Sequence, residues 1–138
     1  GIEERVLGEG CGLPRREWPN SVNLNLYENE AQGVGWHSDD EGLFRGCEHD
    51  CRIISASWGH SRSFEVALKD QQHESGRPSI FRGSVRQTLL AHGDLCSMEG
   101  LFQRHYSHQV SKGPTAAAAP PPPLRRINLT WRNIVQHK

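Results

Sequence analysis

A chain of 138 residues with 35% hydrophobic content and 16 basic against 16 acidic side chains suits one domain with one modest core, and excludes both a disordered acidic tail and a uniformly basic nucleic-acid binder. The four cysteines, Cys11, Cys47, Cys51 and Cys96, are too few and too irregular for a secreted disulfide framework, so a reducing intracellular setting, nucleus or cytoplasm, is expected. No apolar run approaches the ~20 residues that cross a bilayer and no secretory leader is visible, so no membrane partner is expected.

The charges are unevenly placed: residues 1–76 hold 7 basic and 14 acidic side chains, and residues 77–138 hold 9 and 2. Gathered on one rim, the basic part would attract phosphates; interleaved by a strand-rich fold, it would not. In chain order, Glu3 to Arg5 reads as the end of a helix cut short, and the start at Gly1 suggests a fragment. From Ser21 onward period-two alternation dominates, which predicts a mainly β fold with a short N-terminal helical remnant.

In Ser21–Tyr27, Val22, Leu24 and Leu26 share one face, expected to pack, and Asn23, Asn25 and Tyr27 share the polar one. Further strands are expected at Arg52–Trp58, Arg62–Leu68, Ser84–Leu90, Asp94–Met98, His105–Val110 and Arg126–Ile134. Many short strands between Gly, Asp and Ser clusters suggest a sandwich or jelly roll. The polar run Lys69–Pro78 and the stretch Pro114–Pro123, four alanines then four prolines, read as inserts. The proline run cannot sit in a central strand, so it is expected to be a surface loop, either a spacer or a docking site for a proline-binding module.

The candidate chemistry begins at Gly35-Trp36-His37-Ser38-Asp39, where an imidazole and a carboxylate two positions apart at a strand end would aim to one side. A second histidine from a distant strand would complete a two-histidine, one-carboxylate arrangement that leaves positions open on an octahedral iron. With eight histidines in the chain, the pair alone is also open to chance. Cys47 and Cys51 with His49 between them could suggest zinc, but the paired spacing and a fourth ligand are missing, and a polar surface loop is the plainer reading. In the last strand Arg126, Asn128, Thr130 and Arg132 share a face opposite Ile127, Leu129 and Trp131. Two arginines facing one interior need an anion, which a dicarboxylate ligand would supply; the alternative is an exposed strand face with solvated arginines.

Asn25-Leu-Tyr27, His37-Ser-Asp39-Asp-Glu41, Ile54-Ser-Ala-Ser-Trp-Gly59, His92-Gly-Asp94, Met98-Glu-Gly100, Gln103, His108-Gln-Val110 and Arg126-Ile-Asn-Leu-Thr-Trp-Arg132 together resemble, in order, the AlkB family of nucleic-acid dealkylating dioxygenases, nearest the branch of vertebrate homologues 2 and 3. The resemblance covers about residues 20–134 and implies a double-stranded β-helix. It makes His37, Asp39 and His108 the ligands of Fe(II), with His105 and His92 as competitors for the last place. It assigns Asn25, Tyr27 and Arg126 to the distal carboxylate of 2-oxoglutarate, and Arg132, with Asn128 and Thr130 beside it, to the metal-side end. Asp40 and Glu41 take the position of substrate-base contacts, against a plain reading as solvated acids in a turn.

The activity so implied is oxidative demethylation: O2 and 2-oxoglutarate give succinate and CO2, and an N-methyl group is hydroxylated and lost as formaldehyde. Reaching a base edge requires an unpaired or everted nucleotide, so alkylated DNA or RNA in single strands is the easier partner. Arg77, Arg82 and Arg86 could track its phosphates or be solvated surface. The resemblance implies an N-terminal lid over the nucleotide that is expected to be missing from this stretch, and the protein is expected to be a monomer. The rival readings are the same iron chemistry on a protein or lipid substrate, and a non-catalytic binding module.

Overall fold

The computed structural model describes residues 1–70, 79–113 and 124–135. Among these lie strands β1 Ser21–Tyr27, β2 Val34–His37, β3 Ile53–Gly59, β4 Arg62–Leu68, β5 Arg86–Leu90, β6 Leu95–Met98, β7 Tyr106–Val110 and β8 Arg126–Arg132. They form two four-stranded sheets, in the orders β1-β8-β3-β6 and β2-β7-β4-β5, with every pairing antiparallel. The inner faces meet in a cluster of Phe44, Cys51, Ile53, Phe64, Leu90 and Met98, contributed by both sheets and by the connection from β2 to β3. This is the expected jelly roll.

Strand β3 shows why the layers fall where they do. Its alternation sends Ile53 between the sheets and Ile54 and Ala56 to the opposite face. There Val6 and Leu7, from the N-terminal helix Glu4–Gly10, bury themselves against Ile54, Ala56 and Trp131, with Leu13 and Trp18 at the margin. The N-terminal helix therefore acts as a cover for β3 and β8. No helix among the described residues is long and apolar enough to cross a membrane.

Strand β1 reverses the expectation drawn from its pattern. Val22, Leu24 and Leu26 are 52%, 60% and 51% exposed, whereas Asn23, Asn25 and Tyr27 line the space between the sheets. The reason is positional: β1 is the edge of its sheet, the helix does not reach it, and the inward face is committed to a polar chamber. The apolar side is left outside.

Smaller differences have local causes. The pattern missed β2, whose four residues include Gly35 and whose pairing with β7 slips between Val34 and His37. Arg82–Ser84 forms a 3-10 turn before β5, and His105 closes a short helical turn, α1 Phe102–His105, before β7. Lys69 does not belong to an insert: it bridges to Ile80, and its ammonium donates to the Gln103 carbonyl at 2.6 Å. Residues 71–78 and the Pro114–Pro123 stretch lie outside the described residues.

The β3–β4 connection turns at Gly59, which has φ +93° and stands opposite Arg126 in the ladder. A Cβ there would strike the Arg125 carbonyl. Gly59→Ala is expected to cost about 2 kcal/mol or more and lower Tm by roughly 5 °C, since positive φ and a backbone clash act together. An unchanged melting curve would contradict this packing.

Candidate active site

The mouth of β2 and the middle of β7 meet in register, with His37 opposite His108 and their rings 4.3 Å apart. Asp39, two residues past the end of β2, closes the group: one ligand atom from each of His37, Asp39 and His108 lies within 4.8 Å of the other two. Among the described residues no other set of three or more His, Cys, Asp or Glu side chains gathers in this way. Cys51 packs in the apolar cluster, so the zinc alternative at Cys47, His49 and Cys51 has no geometry, and the polar loop reading fails for Cys51 as well. His92 and His105, the competing histidines, are exposed; the Nδ1 of His92 accepts a hydrogen bond from the Gly59 amide at 3.0 Å.

Each member of the triad is held by a specific neighbour. The Nδ1–H of His37 donates to the Gly35 carbonyl at 2.7 Å, which leaves Nε2 as the ring nitrogen available to a metal. The backbone amide of Asp39 donates to Oε1 of Gln103 at 2.9 Å, and Gln103 is fully buried. The Asp39 carboxylate lies 3.4 Å from Nη2 of Arg132 and 3.7 Å from Nε2 of His108. Burial, then the nearby His37, Arg132 and Lys69, push His108 down to about 3, so its imidazole is neutral at physiological pH. Two imidazoles, of which His108 is held neutral by burial, and one carboxylate form a mixed nitrogen and oxygen donor set suited to a divalent first-row metal.

The other end of the chamber, which encloses about 230 Å³, is built around Arg126. Its side chain is 1% exposed, Nη2 donates to Oγ of Ser57 at 2.8 Å, and Nε and Nη1 have no partner. Burial pushes this guanidinium down from its ordinary range, Tyr27 opposes that shift, and the neighbouring Arg62 adds to it. Tyr27, its register partner on β1, lies with its ring 5.2 Å from the guanidinium carbon. A buried cation with two unanswered donors in a polar chamber is the feature a carboxylate ligand fits.

Between these ends, Asn25 pairs with Asn128 and Asn23 with Thr130, and all four line the chamber. The Asn128 amide donates to the Ala56 carbonyl at 3.1 Å and to the Ser55 hydroxyl, while Thr130 donates to Oδ1 of Asn128 at 2.8 Å. Arg132 is paired with Asp39 from a distant segment, so only Arg126 remains without an acid in this strand. Asp40 and Glu41 are exposed: Asp40 accepts from the Ser38 hydroxyl at 3.2 Å and stands 3.8 Å from the Lys69 ammonium. Arg82 and Arg86 are exposed, with Arg86 donating to the Val85 carbonyl, and Arg77 lies outside the described residues. The sequence put Asn23 on the polar face of β1 but suggested no site role for it, for Ser57 or for Gln103; the alternation of β3 places Ser57 inward, whereas a buried glutamine on a helical turn carries no periodic signal.

The depressed His108 has a consequence for the metal-free protein. Its folded pKa lies below the ordinary 6.5, so between about 6.5 and 3 the unfolded chain binds a proton that the folded chain does not. Stability is therefore lost as pH falls through that window, by up to about 1.4 kcal/mol per pH unit for this group. His108→Gln should flatten the decline between pH 6.5 and 4.5 in denaturant titrations. Parallel curves for the two proteins would contradict the burial of a neutral imidazole.

The family model of the 2OG-Fe(II) oxygenase superfamily matches residues 5–132. The human protein named alpha-ketoglutarate-dependent dioxygenase alkB homolog 3 is 36% identical over 115 residues, covering 83% of this chain and 36% of its own length. Human DNA oxidative demethylase ALKBH2 is 32% identical over 137 residues, covering 99% of this chain and 48% of its own. The chain thus spans about a third to a half of the length of these curated relatives. The solved structure of OsALKBH1 superposes with a TM-score of 0.57 over 96% of this chain and 61% of that one, at 18% identity, which shows a shared fold. A β sandwich whose inner chamber joins a two-histidine, one-carboxylate cluster to a buried arginine agrees with these matches, and the chain belongs to the 2OG-Fe(II) oxygenase superfamily.

Proposed function

We propose that this chain is the catalytic core of an iron(II)- and 2-oxoglutarate-dependent dioxygenase that oxidatively demethylates N-alkylated bases in DNA or RNA, as a monomer acting on single strands inside the cell. One observation carries the reading. A metal-competent triad and a buried guanidinium with two unanswered donors face the same chamber. The 32% identical human DNA oxidative demethylase ALKBH2 supports a nucleic-acid substrate class. The free state of all four cysteines supports a reducing compartment, and the lower cost of presenting an unpaired base supports single strands.

In this reading His37, Asp39 and His108 hold the iron, and Arg126 with Tyr27 and Asn25 takes the far carboxylate of the oxo acid. Arg132 neutralises Asp39 and orients the near end, with Asn128 and Thr130 forming the polar wall beside it. Iron(II) with 2-oxoglutarate, when bound, supplies the oxidising power, spending O2 on decarboxylation of the oxo acid and hydroxylation of the methyl group. The protein's own part is placement and exclusion of water. Gln103 fixes the backbone of Asp39, the Gly35 carbonyl fixes the His37 tautomer, and the Phe64, Leu90 and Met98 side chains dry one wall of the chamber. Asp40 and Glu41 at the rim are the proposed contacts to the base.

The test is turnover with Fe(II), 2-oxoglutarate, O2 and a single-stranded oligonucleotide carrying N-methylated bases. Formaldehyde and succinate are expected in equal amounts, with His37→Ala and Asp39→Ala reduced to background. Arg126→Gln is expected to raise the KM for 2-oxoglutarate about tenfold to a hundredfold, the loss of a buried charge-assisted pair. Succinate without demethylated base would point to a protein or lipid substrate, and no succinate at all to a binding module.

A further inference from the structure

Behind Tyr27 lies a second buried guanidinium to which the reading above gives no part. Arg62 opens β4 and is 3% exposed. Its Nη2 donates to the carbonyls of Gln32 at 2.5 Å and Ser111 at 2.7 Å, and its Nη1 reaches the carbonyl of Asn29 at 3.5 Å. Asn29 and Gln32 sit in the loop from β1 to β2, and Ser111 follows β7, so one side chain ties two loops to the start of β4. The Arg62 guanidinium carbon also lies 5.4 Å from the centre of the Tyr27 ring, the ring that Arg126 approaches at 5.2 Å.

Two features set Arg62 apart from an ordinary clasp. Among the described residues neither Arg62 nor Arg126 has a carboxylate within 4.0 Å; the nearby Glu30 is engaged by His60 at 2.7 Å. Two buried cations sharing one aromatic ring repel each other, a cost that an anion at this end of the chamber offsets. The Gln32 and Ser111 carbonyls also take both donors of Nη2 and the Asn29 carbonyl one of Nη1, so the charge of Arg62 is held behind Tyr27 and away from the chamber.

We propose that Arg62 is a positioning residue for the co-substrate: it holds Tyr27 and the β1–β2 loop against Arg126 and adds a second fixed positive charge, so that the site selects a 2-oxo diacid over a 2-oxo monoacid. The proposal rests on the co-substrate reading of the chamber. Arg62 does not touch the ligand; it acts through the tyrosine and through the field at the far end.

The experiment measures dissociation constants for 2-oxoglutarate and for 2-oxobutyrate, which lacks the far carboxylate, on the 138-residue chain loaded with Mn(II) in the absence of oxygen, by calorimetry or tryptophan quenching. Arg62→Gln is expected to weaken 2-oxoglutarate about tenfold while moving 2-oxobutyrate less than about twofold. Arg62→Lys, which keeps the charge but cannot span three carbonyls, is expected to fall between, and it carries the test should the glutamine variant melt below the assay temperature. Equal weakening of both acids would reduce Arg62 to a structural clasp and overturn the proposal, as would unchanged selectivity. Should the unsubstituted chain fail to bind 2-oxoglutarate, the co-substrate reading falls and this proposal with it. A selective unsubstituted chain beside equally selective variants would remove Arg62 alone.

Discussion

The chamber between the two sheets exists because β1, β3 and β8 turn polar side chains inward, and the most costly of these is Arg126. A guanidinium at 1% exposure with Nε and Nη1 unanswered is tolerable only where a partner arrives during function. Its place is over-determined by Ser57 on β3, by Tyr27 across the ladder and by the Gly59 turn beside it. The stability given up there is supplied elsewhere, by the apolar cluster between the sheets and by the helix over β3 and β8.

Charge is divided along the chamber in a way that suits a diacid next to a metal. At one end two imidazoles and one carboxylate share the space with Arg132; at the other, Arg126 and Arg62 contribute positive charge without an acid. With a divalent ion in place, both ends call for negative charge, which a dianion with a carboxylate at each terminus provides. A neutral ligand of the same length would leave Arg126 as it stands, buried and incompletely bonded.

The legible part of the fold was its alternation. Period two placed most strands within one or two residues, and the shared face of Arg126, Asn128, Thr130 and Arg132 was readable from β8 alone. The orientation of β1 was not readable, because Val22, Leu24 and Leu26 look like a packing face to any rule that equates apolar with interior; the commitment of that interior to a ligand is a property of the assembled sheets. The His37 and Asp39 pair could be seen, but its third partner lies 69 residues further on, beside it only because β2 pairs with β7. The family resemblance singled out His108, and register sets it opposite His37. Arg62 escaped notice since a lone arginine at the start of a strand has no pattern; only its carbonyl partners from two loops reveal its placement.

The central claim, that one chamber joins a metal triad to an arginine-anchored diacid, is most directly tested by a crystal structure grown with Mn(II) and 2-oxoglutarate. The account expects metal density enclosed by His37, Asp39 and His108, with the far carboxylate of the diacid on the Nε and Nη1 of Arg126. Metal bound at another group of side chains, or the diacid found outside the chamber while Arg126 keeps its donors unanswered, would contradict it.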